Sequence, residues 1–77
     1  MDTFTHTLKD GIEQYAFPSA LNKRQYHFID RYDGGPWELS VVNYSESLSM
    51  SDALTLVSEL RDLIDFMDKL NKEAANV

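Results

Sequence analysis

Cysteine is absent from the chain, and with it go disulfides, thiolate metal sites and a cysteine nucleophile. Proline is confined to Pro18 and Pro36, and glycine to Gly11, Gly34 and Gly35. Nothing therefore breaks the last third of the chain, and no linker, internal repeat or low-complexity segment divides it. Cations are scarce: seven Lys and Arg stand against thirteen Asp and Glu, a net charge of −6. Only Lys23 and Arg24 are adjacent, so direct nucleic-acid binding, which relies on a basic face, is not expected. No apolar run approaches the roughly 20 residues that cross a bilayer. Met1-Asp2-Thr3 also lacks the basic start of a secretory signal. The expectation is a cytoplasmic protein with no membrane partner.

What is present is enough for one domain. Seventy-seven residues, 43% hydrophobic and including nine aromatics, lie near the size at which a single core is only marginally sufficient. The strongest signal lies between Ser49 and Ala75. Leu56, Leu60, Leu63, Met67, Leu70 and Ala74 step by four and three, which keeps them on one face of a helix. Ala53, Val57 and Ile64 widen that face into a stripe broad enough to cover a sheet. Ser49 followed by Asp52 supplies an N-cap.

Upstream, Thr3 to Leu8 alternates strictly, with Phe4, His6 and Leu8 on one side and threonines on the other, a period-two strand pattern. A turn at Lys9-Asp10-Gly11 would return the chain along Ile12 to Phe17, setting Leu8 opposite Ile12 and His6 opposite Gln14. Leu8, Ile12, Tyr15 and Ala16 also suit two helical turns capped by Thr7; Gly11 and the alternating threonines favour the hairpin. Pro18 ends that strand. A second hairpin is expected from Gln25 to Tyr44 around Asp33-Gly34-Gly35-Pro36, with Tyr32 facing Trp37 and Phe28 facing Val41 toward the core. Arg31 then pairs with Glu38 on the outside, and Ile29 faces Ser40. Asp30 falls inward opposite Leu39, the weak point of this register. Strands over about 3–8, 12–17, 25–32 and 37–44, a polar connection at Ser45 to Leu48, and a helix over about 49–75 give an α+β domain: an antiparallel ββββ sheet of two hairpins packed on one long C-terminal amphipathic helix.

No constellation points to an enzyme. His6 and His27 have no metal-ligand spacing and no second base nearby in sequence. Asp30 and Asp33 form the best carboxylate pair, yet Asp33-Gly34-Gly35 is explained by turn chemistry. The serines lack a nucleophile-elbow context, and Gly34-Gly35 lacks the P-loop pattern. Neither cofactor nor metal is expected. Tyr26, Phe28, Tyr32 and Trp37 are assigned to the core beneath the helix.

The polar side of the helix carries Glu59, Asp62, Asp65, Asp68 and Glu73, with Asp65–Lys69 and Asp68–Lys72 as favourable pairs. Phe66 lies among these acids, where it would be exposed in a monomer, and an aromatic ringed by charge fits an interface anchor. Glu59, Asp62, Asp65, Phe66 and Glu73 are the candidate partner-binding set. A helix of about 39 Å outreaches strands of about 20 to 26 Å, so Met67, Leu70 and Ala74 are expected to overhang and form a homodimer interface. The function expected is a small acidic interaction module that regulates or inhibits a protein partner, as a homodimer. The alternative is an acidic nucleic-acid mimic of the phage anti-defence type, which would block a DNA- or RNA-binding complex.

Overall fold

The computed structural model describes residues 4–44 and 47–75. Thr3, at the start of the first expected strand, and Ser45 and Glu46, in the connection to the helix, lie outside the described residues. The chain forms β1 (Thr5–Lys9), β2 (Ile12–Pro18), β3 (Tyr26–Tyr32) and β4 (Glu38–Ser40), followed by α1 (Met50–Ala75). The sheet is an antiparallel meander in the order β1-β2-β3-β4. This is the expected α+β architecture, and the stretch from Leu8 to Ala16 is a hairpin, not a helix.

Both hairpins differ from the expected register by one residue. In the first, Asp10 and Gly11 both take positive φ, 55° and 81°, which is the two-residue turn that Asp-Gly favours. Lys9 thereby joins the ladder opposite Ile12, Leu8 faces Glu13, and His6 faces Tyr15. In the second, Ile29 faces Leu39, Phe28 faces Ser40 and Asp30 faces Glu38. The ladder stops there because Trp37 leaves the sheet and gives its N–H to Asn71 Oδ1 on α1, 3.1 Å away. The fourth strand is thus three residues long instead of spanning 37–44. A one-residue slip exchanges the two faces of a strand. His27, Ile29 and Arg31 therefore turn toward the helix, while Tyr26, Phe28, Asp30 and Tyr32 turn away. The aromatic set assigned to the core lies outside it, save Trp37, and Arg31 pairs with Glu13 rather than Glu38. The two turns are also tied together, since Asp33 N–H donates to the Gly11 carbonyl at 2.7 Å.

The helix begins as the sequence implies. Ser49 Oγ accepts the Asp52 N–H at 3.1 Å, and the Ser49 carbonyl accepts the Ala53 N–H at 2.9 Å, the geometry of an N-cap. Asp52 in the first turn and Lys72 in the last complement the helix dipole. Its buried face, however, is rotated by roughly 50° from the expected stripe, at 100° per residue. Leu63 is fully buried with Phe17, Ile29 and Trp37, and Leu60, Phe66, Met67 and Leu70 pack around them. Val57 and Ile64, expected inside, are 53% and 50% exposed. Phe66, expected to be exposed, meets Phe4, Tyr15 and Phe17 at ring distances of 5.8, 5.1 and 5.4 Å. Phe66 thus supplies the helix-side partner for the rings of Phe4, just before β1, and of Tyr15 and Phe17 on β2.

The expected overhang at Met67 and Leu70 is not seen, since both lie on the core. At the other end of the 26-residue helix, Asp52, Ala53 and Leu56 are half-buried, whereas Met50, Leu54 and Val57 point outward and are exposed.

Candidate functional site

Two clusters of polar side chains invite a chemical reading before the sheet surface does. The first joins β3 to the helix. His27 is fully buried. The Val42 N–H donates to its Nδ1 at 3.1 Å, so the ring carries its proton on Nε2 and donates it to Glu59. The second Glu59 oxygen accepts the Ala20 N–H at 2.8 Å. Buried Ser19 is hydrogen-bonded to the Tyr44 hydroxyl, and its Oγ also accepts the Leu21 N–H at 3.2 Å. Serine, histidine and glutamate thus lie within one region without forming a relay. Ser19 is bonded to Tyr44, and the histidine nitrogen that would serve as base already accepts a backbone N–H. The cluster is a strut that fixes the β2–β3 loop and the segment after β4 to α1.

The second cluster lies at the far corner of the sheet's helix side. Arg31 bonds Glu13 Oε1 through Nη2 at 2.7 Å and Nε at 2.9 Å, and its guanidinium stacks 4.6 Å from the Trp37 ring. His6 Nε2 meets the other Glu13 oxygen at 2.7 Å, and the His6 ring stacks on Tyr15. Burial pushes the Glu13 carboxyl up, but the hydrogen bonds from Arg31 and His6 outweigh it and hold it below the usual carboxylate value. Burial, with the charges of Glu13 and Glu73, raises the Tyr15 hydroxyl. Every charged group here has a partner inside the fold. No group of three His, Cys, Asp or Glu suited to a metal ion occurs among the described residues.

The surface left over is the sheet face opposite the helix. No second element covers it among the described residues. Along the central strand β3 it presents Tyr26 (43% exposed), half-buried Phe28, Asp30 and Tyr32 (56% exposed), with Tyr26 and Phe28 paired at 6.4 Å. Strand β2 adds Ile12, Gln14, Ala16 and Pro18, and β4 adds Glu38 and Ser40. Strand β1 adds Thr5, Thr7 and Lys9, so the face carries two carboxylates, Asp30 and Glu38, and one cation. It combines aromatic surface with a small excess of negative charge.

The residues singled out on the helix are dispersed. Asp62, Asp65 and Glu73 are exposed, Glu59 is turned inward onto His27, and Phe66 is packed beneath the sheet. Met67 and Leu70 are half-buried in the core and Ala74 is exposed. Asp68 does pair with Lys72, at 2.8 Å, and thereby raises the lysine's pKa; Asp65 and Lys69 form no ion pair among the described residues. The open-face residues went unrecognised because the aromatics were assigned to the core. One signal pointed the other way: Asp30, awkward when turned inward, belongs on the outer face once the register moves by one.

Compared with known proteins, the chain matches no family model, no curated protein and no solved structure.

Proposed function

We propose that this protein is a non-enzymatic interaction module that docks onto a protein partner through the open face of its sheet, and by occupying that partner regulates or inhibits it. The observation that carries the reading is the uncovered run Tyr26-Phe28-Tyr32 on the central strand. Aromatic rings are the side chains most enriched in interface anchors, and a contiguous apolar patch left in water has an energetic cost that a docked surface removes. A protein partner is favoured over nucleic acid by charge. Stacking platforms for single strands sit in basic grooves, whereas this face sets Asp30 and Glu38 against Lys9 alone, on a chain of net charge −6. The acidic helix residues give the nucleic-acid-mimic reading less to stand on, with Glu59 engaged by His27 and Ala20.

The test is capture from the native host with immobilised wild type and two folded variants. Tyr26→Ser/Tyr32→Ser strips the sheet face, and Ile64→Ser alters the outward side of the helix. A host protein retained by wild type and Ile64→Ser but lost with the tyrosine variant supports sheet-face docking. Equal retention by all three overturns it.

A further inference from the structure

Strands β1 and β4 are the two edges of the sheet, and they are finished differently. β4 is three residues long and follows Pro36. The chain beyond it turns inward, where the Val42 N–H donates to His27. These are devices that keep an edge from pairing. β1 has none of them. It runs Thr-His-Thr-Leu-Lys without proline or bulge, every residue is exposed, and no described element lies on its outer side. In the two-residue turn the flanking pair, Lys9 and Ile12, is hydrogen-bonded, and bonded pairs alternate with unbonded ones. Thr5, Thr7 and Lys9 therefore bond to β2, and the N–H and C=O groups of His6 and Leu8 point off the edge.

Leu8, on the helix side of β1, is 71% exposed, the most of any large apolar side chain in the sheet. Beside His6, between β1 and the second half of α1, opens a cleft of about 350 Å³. Phe4, Tyr15, Phe66 and Leu70 line it, with exposed Lys69 and Glu73. β1 is also the one element without a carboxylate, so it opposes the approach of a second, equally acidic copy least.

We infer that β1 pairs with β1 of a second copy, antiparallel and two-fold about Thr7, joining the two four-stranded sheets with both helices on the same side. In that register His6 pairs with the partner's Leu8, and Leu8 with the partner's His6, which satisfies every main-chain group that points off the edge. Thr7 faces the partner's Thr7, a favourable pairing across strands. The partner's Leu8 comes to lie beside His6 at the mouth of the cleft, and Leu8 meets the partner's cleft in the same way. A shift of two residues one way carries His6 onto the partner's Asp10, in the left-handed turn; the other way sets His6 against its own copy. The pairing leaves Tyr26, Phe28 and Tyr32 open on both copies, so it goes beyond the docking reading and does not depend on it.

Two five-residue strands make a small interface, so association belongs at about 0.1 to 1 mM. By light scattering, wild type should rise over this range from 8.9 kDa toward twice that mass. Added sodium chloride should strengthen the association, because it screens two like net charges. Leu8→Ser should weaken it at least about ten-fold, while Ile64→Ser and Tyr26→Ser/Tyr32→Ser associate as wild type does. In the wild type itself, amide exchange at His6 and Leu8 should slow as concentration rises, with Thr7 protected at every concentration. That measurement needs no variant, so it decides the matter even where Leu8→Ser fails to fold. A mass of 8.9 kDa at about 1 mM, association undiminished by Leu8→Ser, or exchange at His6 and Leu8 that ignores concentration overturns the inference. Association lost with Ile64→Ser or with the tyrosine variant would place the contact on the helix or on the open face and overturn it too.

Discussion

Replacing Leu63 and Ile64 by alanine, one at a time, tests which side of the helix holds the fold together. The two are adjacent in sequence and both aliphatic, yet Leu63 is 0% exposed beside Phe17, Ile29 and Trp37 while Ile64 is half exposed. A fully enclosed leucine truncated to alanine loses its transfer energy and leaves a cavity, together about 3 to 4 kcal/mol. Ile64 has half as much to lose and water fills the gap, so about 1 kcal/mol is expected. A chain of this length has a stability of about 4 to 11 kcal/mol. With a urea dependence of about 1 kcal/mol per molar for so small a domain, the midpoint should fall by about 3 M for Leu63→Ala and about 1 M for Ile64→Ala. Trp37, the single tryptophan and buried in the core, is the natural fluorescent reporter. If Ile64→Ala lowers the midpoint as far as Leu63→Ala, the helix faces the sheet along the Leu60–Ile64 side and the core described above is wrong.

Gly11→Ala should destabilise by more than the ~1 kcal/mol that a left-handed alanine costs, because its Cβ would also lie 2.3 Å from Asp33 Oδ1. Gly34→Ala, with φ of 74° and nothing within 4 Å of the added carbon, should show only that ~1 kcal/mol; equal thermal shifts for the two would show that the exposed Asp33 side chain swings aside. Glu59→Gln replaces one of two accepting oxygens with an amide that faces the His27 or Ala20 donor, and should cost about 1 to 3 kcal/mol in chemical denaturation; a neutral result would mean the strut is not formed. Glu13, held below the ordinary 4.5, stabilises the fold while ionised in the folded state. Its contribution is intact above pH 4.5 and is lost as pH falls toward the lower folded value. The gap in denaturant midpoint between wild type and Glu13→Gln should therefore be constant near neutrality and close below pH 4.5, and a gap that widens there would contradict the Arg31 and His6 contacts.

The helix was legible in the sequence because its signals are local: a serine cap, an uninterrupted run and apolar residues at four-three spacing. The two Asp-Gly turns were legible for the same reason. Register was not. In β3 both alternations carry bulky apolar residues, Tyr26, Phe28 and Tyr32 on one and Ile29 on the other, so periodicity alone offers two nearly equal answers. The alternation that the fold uses buries His27 and Arg31, which look like surface residues in isolation. They become tolerable inside only because Glu59, 32 residues away, and Glu13, 18 away, bind them. Such long-range compensation leaves no trace at the level of spacing. The same holds for the helix: Glu59 reads as solvated, so a stripe drawn through leucine, isoleucine and valine comes out turned away from it. The open aromatic face was hidden by that choice of register, with Asp30 as the residue that did not fit.

One sheet and one helix can cover only one face of the sheet, so a chain of this design must make its other face either polar or useful. Here that face keeps three aromatic rings on the central strand, a composition that invites stacking between copies. Asp30 and Glu38 oppose such stacking, because two copies meeting face to face bring four carboxylates together against two cations, one Lys9 from each copy. The net charge of −6 acts in the same sense at longer range, holding copies apart while drawing in surfaces of opposite sign. On the proposed docking reading, the same acidity favours, at that face, a basic protein partner over both nucleic acid and a second copy of the chain.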